Sequence, residues 1–148
     1  DLVDLVENVV AAHSLPARAK LMHTELTLQA RRCLAEPALL ISVMDNLYSN
    51  AVHYGAESGN IRIHSYRHGE QVRIDVANSG EPIPAAEKNM IFEPFYQGSH
   101  QRKGAVKGSG LGLSIARDCV RQMQGELSLV DAPAGQVCFR ITLPSAPE

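Results

Sequence analysis

Long hydrophobic runs are missing from this chain. Its apolar stretches are short and interrupted, so no segment is expected to span a membrane. Cysteine is scarce: Cys33, Cys119 and Cys138 are far apart, odd in number and without Cys-x-x-Cys spacing. That pattern argues against a disulfide framework or a zinc site and for a reducing cytoplasm. Each thiol reads as a small buried hydrophobe. Neither sign of charge dominates. Fourteen Lys and Arg against sixteen Asp and Glu leave a net charge of −2, so nothing suggests a general nucleic-acid binder. Gly-x-Ser-x-Gly and His-Glu-x-x-His are both absent, so neither a serine-hydrolase elbow nor a zinc-protease helix is offered. There is no internal repeat or low-complexity tract. The chain opens at Asp1 without a methionine or a basic-then-apolar leader, and a fragment of a longer protein is the expectation.

What is present is the material of one ordinary soluble domain, 148 residues with 45% apolar and 20% charged side chains. Such a length buries roughly two-thirds of its unfolded surface. Leu2 to His13 has the helix period, with Ser14-Leu15-Pro16 expected to end it. Thr24 to Gln29 alternates as a short strand, and Cys33-Leu34 suggests a second. Pro37 suits the first turn of a long helix reaching about Tyr54. Ile61 to Tyr66 and Val72 to Val76, joined through His68-Gly69-Glu70, predict a β-hairpin. Ala85 to Phe92 is expected to be a short helix and Gln97 to Gly108 a mobile loop. Leu111 to Gln124 predicts an amphipathic helix with Gly125 at C′. Glu126 to Val130 and Val137 to Leu143 form a closing hairpin. Helices and antiparallel hairpins alternate in blocks, which predicts α+β: a mostly antiparallel mixed sheet with about three helices on one face.

Three places offer chemistry. Lys107-Gly108-Ser109-Gly110-Leu111-Gly112-Leu113 runs three alternate glycines into a helix. Glycine admits close backbone approach, and a helix start adds unpaired N–H donors and positive dipole, so the junction suits a polyanion. On the long helix, Leu40, Val43, Met44, Leu47 and Ala51 share a core-facing arc. Asn46 and Asn50 lie at its edge one turn apart, continued by His53 and Tyr54. Asparagine inside a helix competes with backbone bonding and calls for polar partners. A bond to a neighbouring loop is a fair alternative for either amide alone, whereas an amide oxygen is also a sound Mg²⁺ ligand beside phosphates and water. Third, Asn78-Ser79-Gly80-Glu81-Pro82-Ile83-Pro84 follows a strand directly. An Asn there can meet a purine edge, although these are also ordinary turn residues.

Taken in order, Asn46 to Tyr54, Asn78 to Pro84, Ile91-Phe92-Glu93-Pro94-Phe95-Tyr96 and Gly108 to Leu113 resemble the N, G1, F and G2 boxes. These mark the catalytic ATP-binding domain of bacterial sensor histidine kinases, and the resemblance covers nearly the whole chain. It implies a two-layer α/β sandwich of the Bergerat type, with ATP between the N-box helix and a lid. By position, Asn50 would be the Mg²⁺ ligand and Asn46 would lie near the phosphates. His53 stands where a phosphate-contacting lysine is common, Tyr54 where an aromatic ring packs on adenine. Asn78 would read the adenine amino group, with Gly80 and Ile83 lining the base. Gly108, Gly110, Leu111, Gly112 and Leu113 would give backbone donors to the phosphates, with Lys107 beside them. Phe92 and Phe95 would anchor the base of the lid. The implied partners are a phosphoacceptor helical hairpin of the parent kinase and a response regulator. The implied setting is a cytoplasmic domain of an inner-membrane kinase, monomeric when isolated and with no direct membrane insertion.

The chain departs from the family pattern at four positions. Asn78 replaces an aspartate and lacks its charge assistance. Pro82 replaces a glycine and stiffens its loop. Gln97 stands where many members carry a lid arginine, a role open to Arg102, Lys103 or Lys107 unless these are a solvated basic loop. Cys138 occupies the place of a threonine often found near adenine. An ATPase of the same fold would need a carboxylate where Asn46 stands, and Asp45 points roughly 100° away. A nucleotide-sensing or partner-binding module without phosphotransfer is the remaining alternative. His13 and His23 lack the Glu or Asp that normally follows an acceptor histidine, so the acceptor is expected on another domain.

Overall fold

The computed structural model describes residues 2–80, 83, 90–92, 112–133 and 135–145. The elements are α1 (Leu2–Ala12), α2 (Ser14–Ala19), β1 (His23–Leu28), α3 (Pro37–Tyr54), β2 (Asn60–His68), β3 (Gln71–Ser79), α4 (Gly112–Gln122), β4 (Glu126–Val130) and β5 (Gln136–Pro144). All five strands lie in one sheet ordered β1-β2-β3-β5-β4. Its pairs are antiparallel except β1 with β2, which are parallel. A parallel pair needs a long crossover, and α3 supplies it. This is the expected α+β sheet, mostly antiparallel, with the helices on one side.

Strand alternation divides the sheet into two unlike faces. One cross-strand row runs Leu26, Ile63, Val76, Phe139, Leu129 and faces the helices. The next residues along, Thr27, His64, Asp75, Arg140 and Ser128, face away. There Arg140 grips Asp75 through two N–H···O contacts, Nε to Oδ1 at 2.9 Å and Nη2 to Oδ2 at 3.2 Å. Against the apolar face α3 lays Leu40, Val43, Met44, Leu47, Tyr48, Ala51 and Val52, all buried. Met44 is wholly enclosed and Leu47 only 1% exposed, so each contributes about 1.5–3 kcal/mol of hydrophobic stabilisation. Tyr48 sinks its ring in the same layer and satisfies its hydroxyl with Thr24 Oγ1 at 2.7 Å. Burial raises its pKa, partly offset by that hydrogen bond.

Local chemistry explains most boundaries. Pro37 opens α3, where a missing N–H costs nothing. Gly69, at φ 63°, takes the first position of the two-residue loop between His68 and Gln71, as strand twist requires. Several expectations need correction. The first helix does end before Ser14-Leu15-Pro16, at Ala12, but this segment then opens a second, unexpected helix, α2, because proline is tolerated in a first turn. Cys33-Leu34 forms no strand, and the Leu34 N–H donates to Pro144 O at 2.9 Å instead. Gly125 is not the C′ residue of α4. Gln124 holds that left-handed position at φ 66°, while Gly125 N donates to Val120 O at 3.0 Å. Glycine is needed at 125 for space, since a methyl there would lie 2.1 Å from Thr142 O. The helix expected over Ala85–Phe92 falls mostly outside the described residues, as does the loop expected from Gln97 to Gly108. Among the described residues no helix is long and apolar enough to cross a membrane.

Candidate nucleotide-binding site

The candidate site follows one edge of α3. Asn46, Asn50, His53 and Tyr54 are each half-buried beside its wholly buried stripe. From Asn46 to Tyr54 the axis advances about 12 Å at the usual helical rise. Two clusters stand at the ends of this rail.

At the C-terminal end, Tyr54 meets the end of β3. Asn78 is 5% exposed on the helix-facing side of the sheet, in register with Ile61 and Val137. Its Nδ2 donates to Ser79 O at 3.0 Å, which leaves Oδ1 as the acceptor. Gly80 crosses against both neighbours. A methyl there would lie 3.1 Å from Tyr54 O and 3.3 Å from Asn78 Nδ2, closer than most side-chain carbons sit. Ala56 N donates to Ser79 O at 2.8 Å and Gly80 N to Gly135 O at 2.9 Å, so the cluster is tied by backbone. The His53 and Tyr54 rings meet edge to face at 4.4 Å. Burial raises the Tyr54 pKa, keeping the phenol neutral and able to donate. Ile83 is half-buried and packs against the core.

At the other end, α4 begins beside Asn46. A methyl on Gly112, its first residue, would lie 3.6 Å from Asn46 Oδ1, in ordinary contact. The first N–H groups of this eleven-residue helix lack intrahelical partners, so amide oxygens and helix-start donors share one place. Leu113 is half-buried against the core. Lys107, Gly108, Gly110 and Leu111 lie outside the described residues, as do Phe95, Gln97, Arg102 and Lys103. Phe92 is buried edge to face on Phe139 at 6.1 Å, with the Arg117 guanidinium 4.7 Å from its ring centroid.

Cys138, which stands where a threonine is often found near adenine, lies off the helix face. It pairs with Ala77 and Val130, and so projects from the face opposite Asn78 and the helices. Burial, with Asp75 adding to it, pushes the thiol up to about 11. The side chain beside Asn78 on the helix face is Val137, which no motif flagged. A second omission is Lys20, whose partners are 32 to 35 residues away.

A two-layer sandwich whose longest helix runs from an amide beside a second helix start to a tyrosine beside a buried asparagine is the frame of an ATP-binding domain. Comparison with known proteins agrees: the chain belongs to the histidine kinase-, DNA gyrase B-, and HSP90-like ATPase family, whose model matches residues 35–147. It is 72% identical over 146 residues to sensor histidine kinase GlrK of Escherichia coli (strain K12), covering 99% of this chain and 31% of that protein. The same figures hold for sensor histidine kinase QseE of Escherichia coli O157:H7. The chain therefore spans under a third of these relatives. Among solved structures, the catalytic domain of histidine kinase ThkA superposes with a TM-score of 0.85 at 29% identity, covering 99% of this chain and 96% of that one. ThkA bound to response regulator TrrA superposes at 0.81 with 27% identity, covering 99% and 41%.

Proposed function

We propose that this chain binds Mg·ATP along α3 and passes the γ-phosphoryl group to a histidine on a separate helical hairpin, within a two-component pathway. The observation that carries the reading is the placement of Asn46, midway along α3, against the start of α4, with Tyr54, Asn78 and Gly80 gathered at the helix's C-terminal end. The base end orients adenine: Asn78 Oδ1 accepts from the exocyclic amine while Ser79 O holds its Nδ2, and the Tyr54 ring packs on the base. Gly80 keeps that approach open. At the other end the backbone donors of Gly112 and Leu113, preceded by Lys107, Gly108, Gly110 and Leu111, cradle the phosphates. His53 lies between the two ends.

The donor set suits Mg²⁺. Asn50 and Asn46 offer neutral amide oxygens one turn apart, the kind of ligand a hard cation accepts when phosphates and water complete its shell. Bound there, Mg²⁺ would neutralise charge on the transferring phosphate; the protein's part is to position, since phosphoryl transfer needs no covalent protein step. A hydrolytic role is disfavoured. Asn46 cannot act as a base, and Asp45 is engaged outward with His13, Nε2 to Oδ1 at 2.6 Å. His13 is thus occupied within the domain, which supports an acceptor on another one. The relatives' names support a parent that is a sensor histidine kinase; a cytoplasmic position for this domain in a membrane-bound parent is part of the proposal. The response regulator bound to ThkA supports a regulator as downstream partner.

The test is incubation with γ-labelled ATP, Mg²⁺ and a phosphoacceptor hairpin from the parent kinase. Label on the hairpin that vanishes with Asn50→Ala supports the reading. Nucleotide binding without transfer at any Mg²⁺ concentration would instead establish a nucleotide-sensing module.

A further inference from the structure

Lys20 sits at the C-cap of α2, far in sequence from every motif, yet its side chain ends on the last turn of α3. Its Nζ donates to Val52 O at 2.9 Å, His53 O at 2.9 Å and Gly55 O at 2.7 Å. The final carbonyls of a helix have no intrahelical donors and carry the negative end of its dipole. An ammonium has three N–H donors and meets all three acceptors, whereas a neutral amine has only two. Burial lowers the Lys20 pKa, and Glu57 opposes that shift. The backbone completes a second tie, since Ser58 N donates to Lys20 O at 2.8 Å.

These bonds gather at one junction. Met22, two residues on, packs so closely on Gly55 that a methyl there would lie 2.4 Å from its Cε. Leu21 and Ser58, one on each side of the junction, hold φ of 55° and 61°. A left-handed leucine is disfavoured and persists only where surrounding contacts over-determine it. Leu21 is 71% exposed, so its side chain gains little there; what the conformation achieves is to reverse the chain after Lys20 and start β1. The turn held in this way, Gly55 and Ala56, is the one bonded to Ser79 O and crossed by Gly80.

We propose that Lys20 is a positioning residue for nucleotide recognition: its ammonium fixes the C-terminal end of α3 so that Tyr54 stays in register with Asn78 and Gly80. This rests on reading that end as the base pocket. A lysine serving stability alone would lower the melting temperature and leave the affinity of the folded protein unchanged. A positioning lysine changes both, and changes the affinity through the base end, because misplacing groups by a fraction of an ångström weakens recognition even where every contact residue survives.

The test uses the chain with Lys20→Met, which keeps an apolar stem and removes all three donors, and Lys20→Arg, which keeps charge and donors in a planar fork. Affinity for adenosine and for ADP is measured by titration, and backbone amide exchange is measured over Tyr54–Ala56 and Ser79–Gly80. Lys20→Met is expected to weaken both ligands about tenfold, with Lys20→Arg recovering part of the loss. Amide exchange should rise at those two segments and stay unchanged in β4 and β5. Affinities within twofold of the parent would overturn the proposal, as would exchange rising evenly through the sheet. If Lys20→Met does not fold, the Lys20→Arg affinities and exchange decide it by the same criteria. If the parent chain binds neither ligand, the functional reading fails, and exchange at the two segments alone decides whether Lys20 is the lock.

Discussion

The middle and the C-terminal end of α3 are held by different means. At Tyr54 the constraint is main chain: Lys20 on three carbonyls, Ala56 on Ser79, Gly80 on Gly135, and a glycine at 80 where a methyl would press on its neighbours. At Asn46, a methyl on Gly112 would meet Oδ1 only at 3.6 Å, an ordinary van der Waals distance. A base is flat and of fixed shape, so a pocket fixed by main chain suits it. A phosphate chain with its cation is recognised by charge and donors, which tolerate small shifts but not loss of the functional group. The base end should therefore fail when its shape is changed, and the phosphate end when its chemistry is.

Asn50→Ala is the largest expected effect. Removing a positioned ligand to the transferring group should cut phosphoryl transfer about a hundredfold or more while adenosine affinity stays within twofold. Chelating Mg²⁺ should reproduce that loss in the parent chain and add little to the variant. An equal fall in adenosine affinity would break the distinction between the two ends. Gly80→Val comes next. Its Cβ would press on Tyr54 O and Asn78 Nδ2, so adenosine and ATP should both weaken about tenfold, in parallel. Selective loss of ATP with adenosine binding retained would put Gly80 at the wrong end.

Much of this was legible in the sequence because the information was local. The span of α3 follows from Pro37 and a sustained apolar arc, and both hairpins follow from alternation around glycine-bearing loops. The amide edge could be read off the helix period alone. What was not legible depends on partners remote in sequence or on backbone conformation. Lys20 meets carbonyls 32 to 35 residues away, and no spacing rule links a lysine after a short helix to another helix's last turn. Gln124 took the left-handed position because Gly125 was needed where Thr142 O comes close. Which face Cys138 takes was not legible either, because a motif position gives no strand phase and a shift of one residue reverses the face. The sheet face can itself be tested. A thiol raised from 9.0 to about 11 favours the neutral form in the folded state. Its contribution to stability is complete below pH 9 and is lost as pH rises towards 11. Cys138→Ser should flatten that alkaline decline in a chemical-denaturation series, while nucleotide affinity at neutral pH stays unchanged. A neutral-pH affinity loss would return Cys138 to the nucleotide face.

The smallest expected effect is the most searching. Gly112→Ala adds a methyl whose nearest neighbour among the described residues outside its own helix is Asn46 Oδ1, at ordinary contact distance, and alanine is the better helix former, by up to about 1 kcal/mol in a helix interior. If the phosphate end works through donors and dipole, the methyl leaves both in place, and ATP affinity should change less than about twofold with stability equal or slightly higher. Were backbone shape the governing constraint there too, this substitution would weaken ATP as strongly as Gly80→Val does. Side-by-side titration of the two glycine variants with adenosine and ATP therefore separates the cases. A tenfold loss confined to ATP in Gly112→Ala would show that the start of α4 is as sterically exacting as the base pocket, and the contrast between the two clusters along α3 would fall.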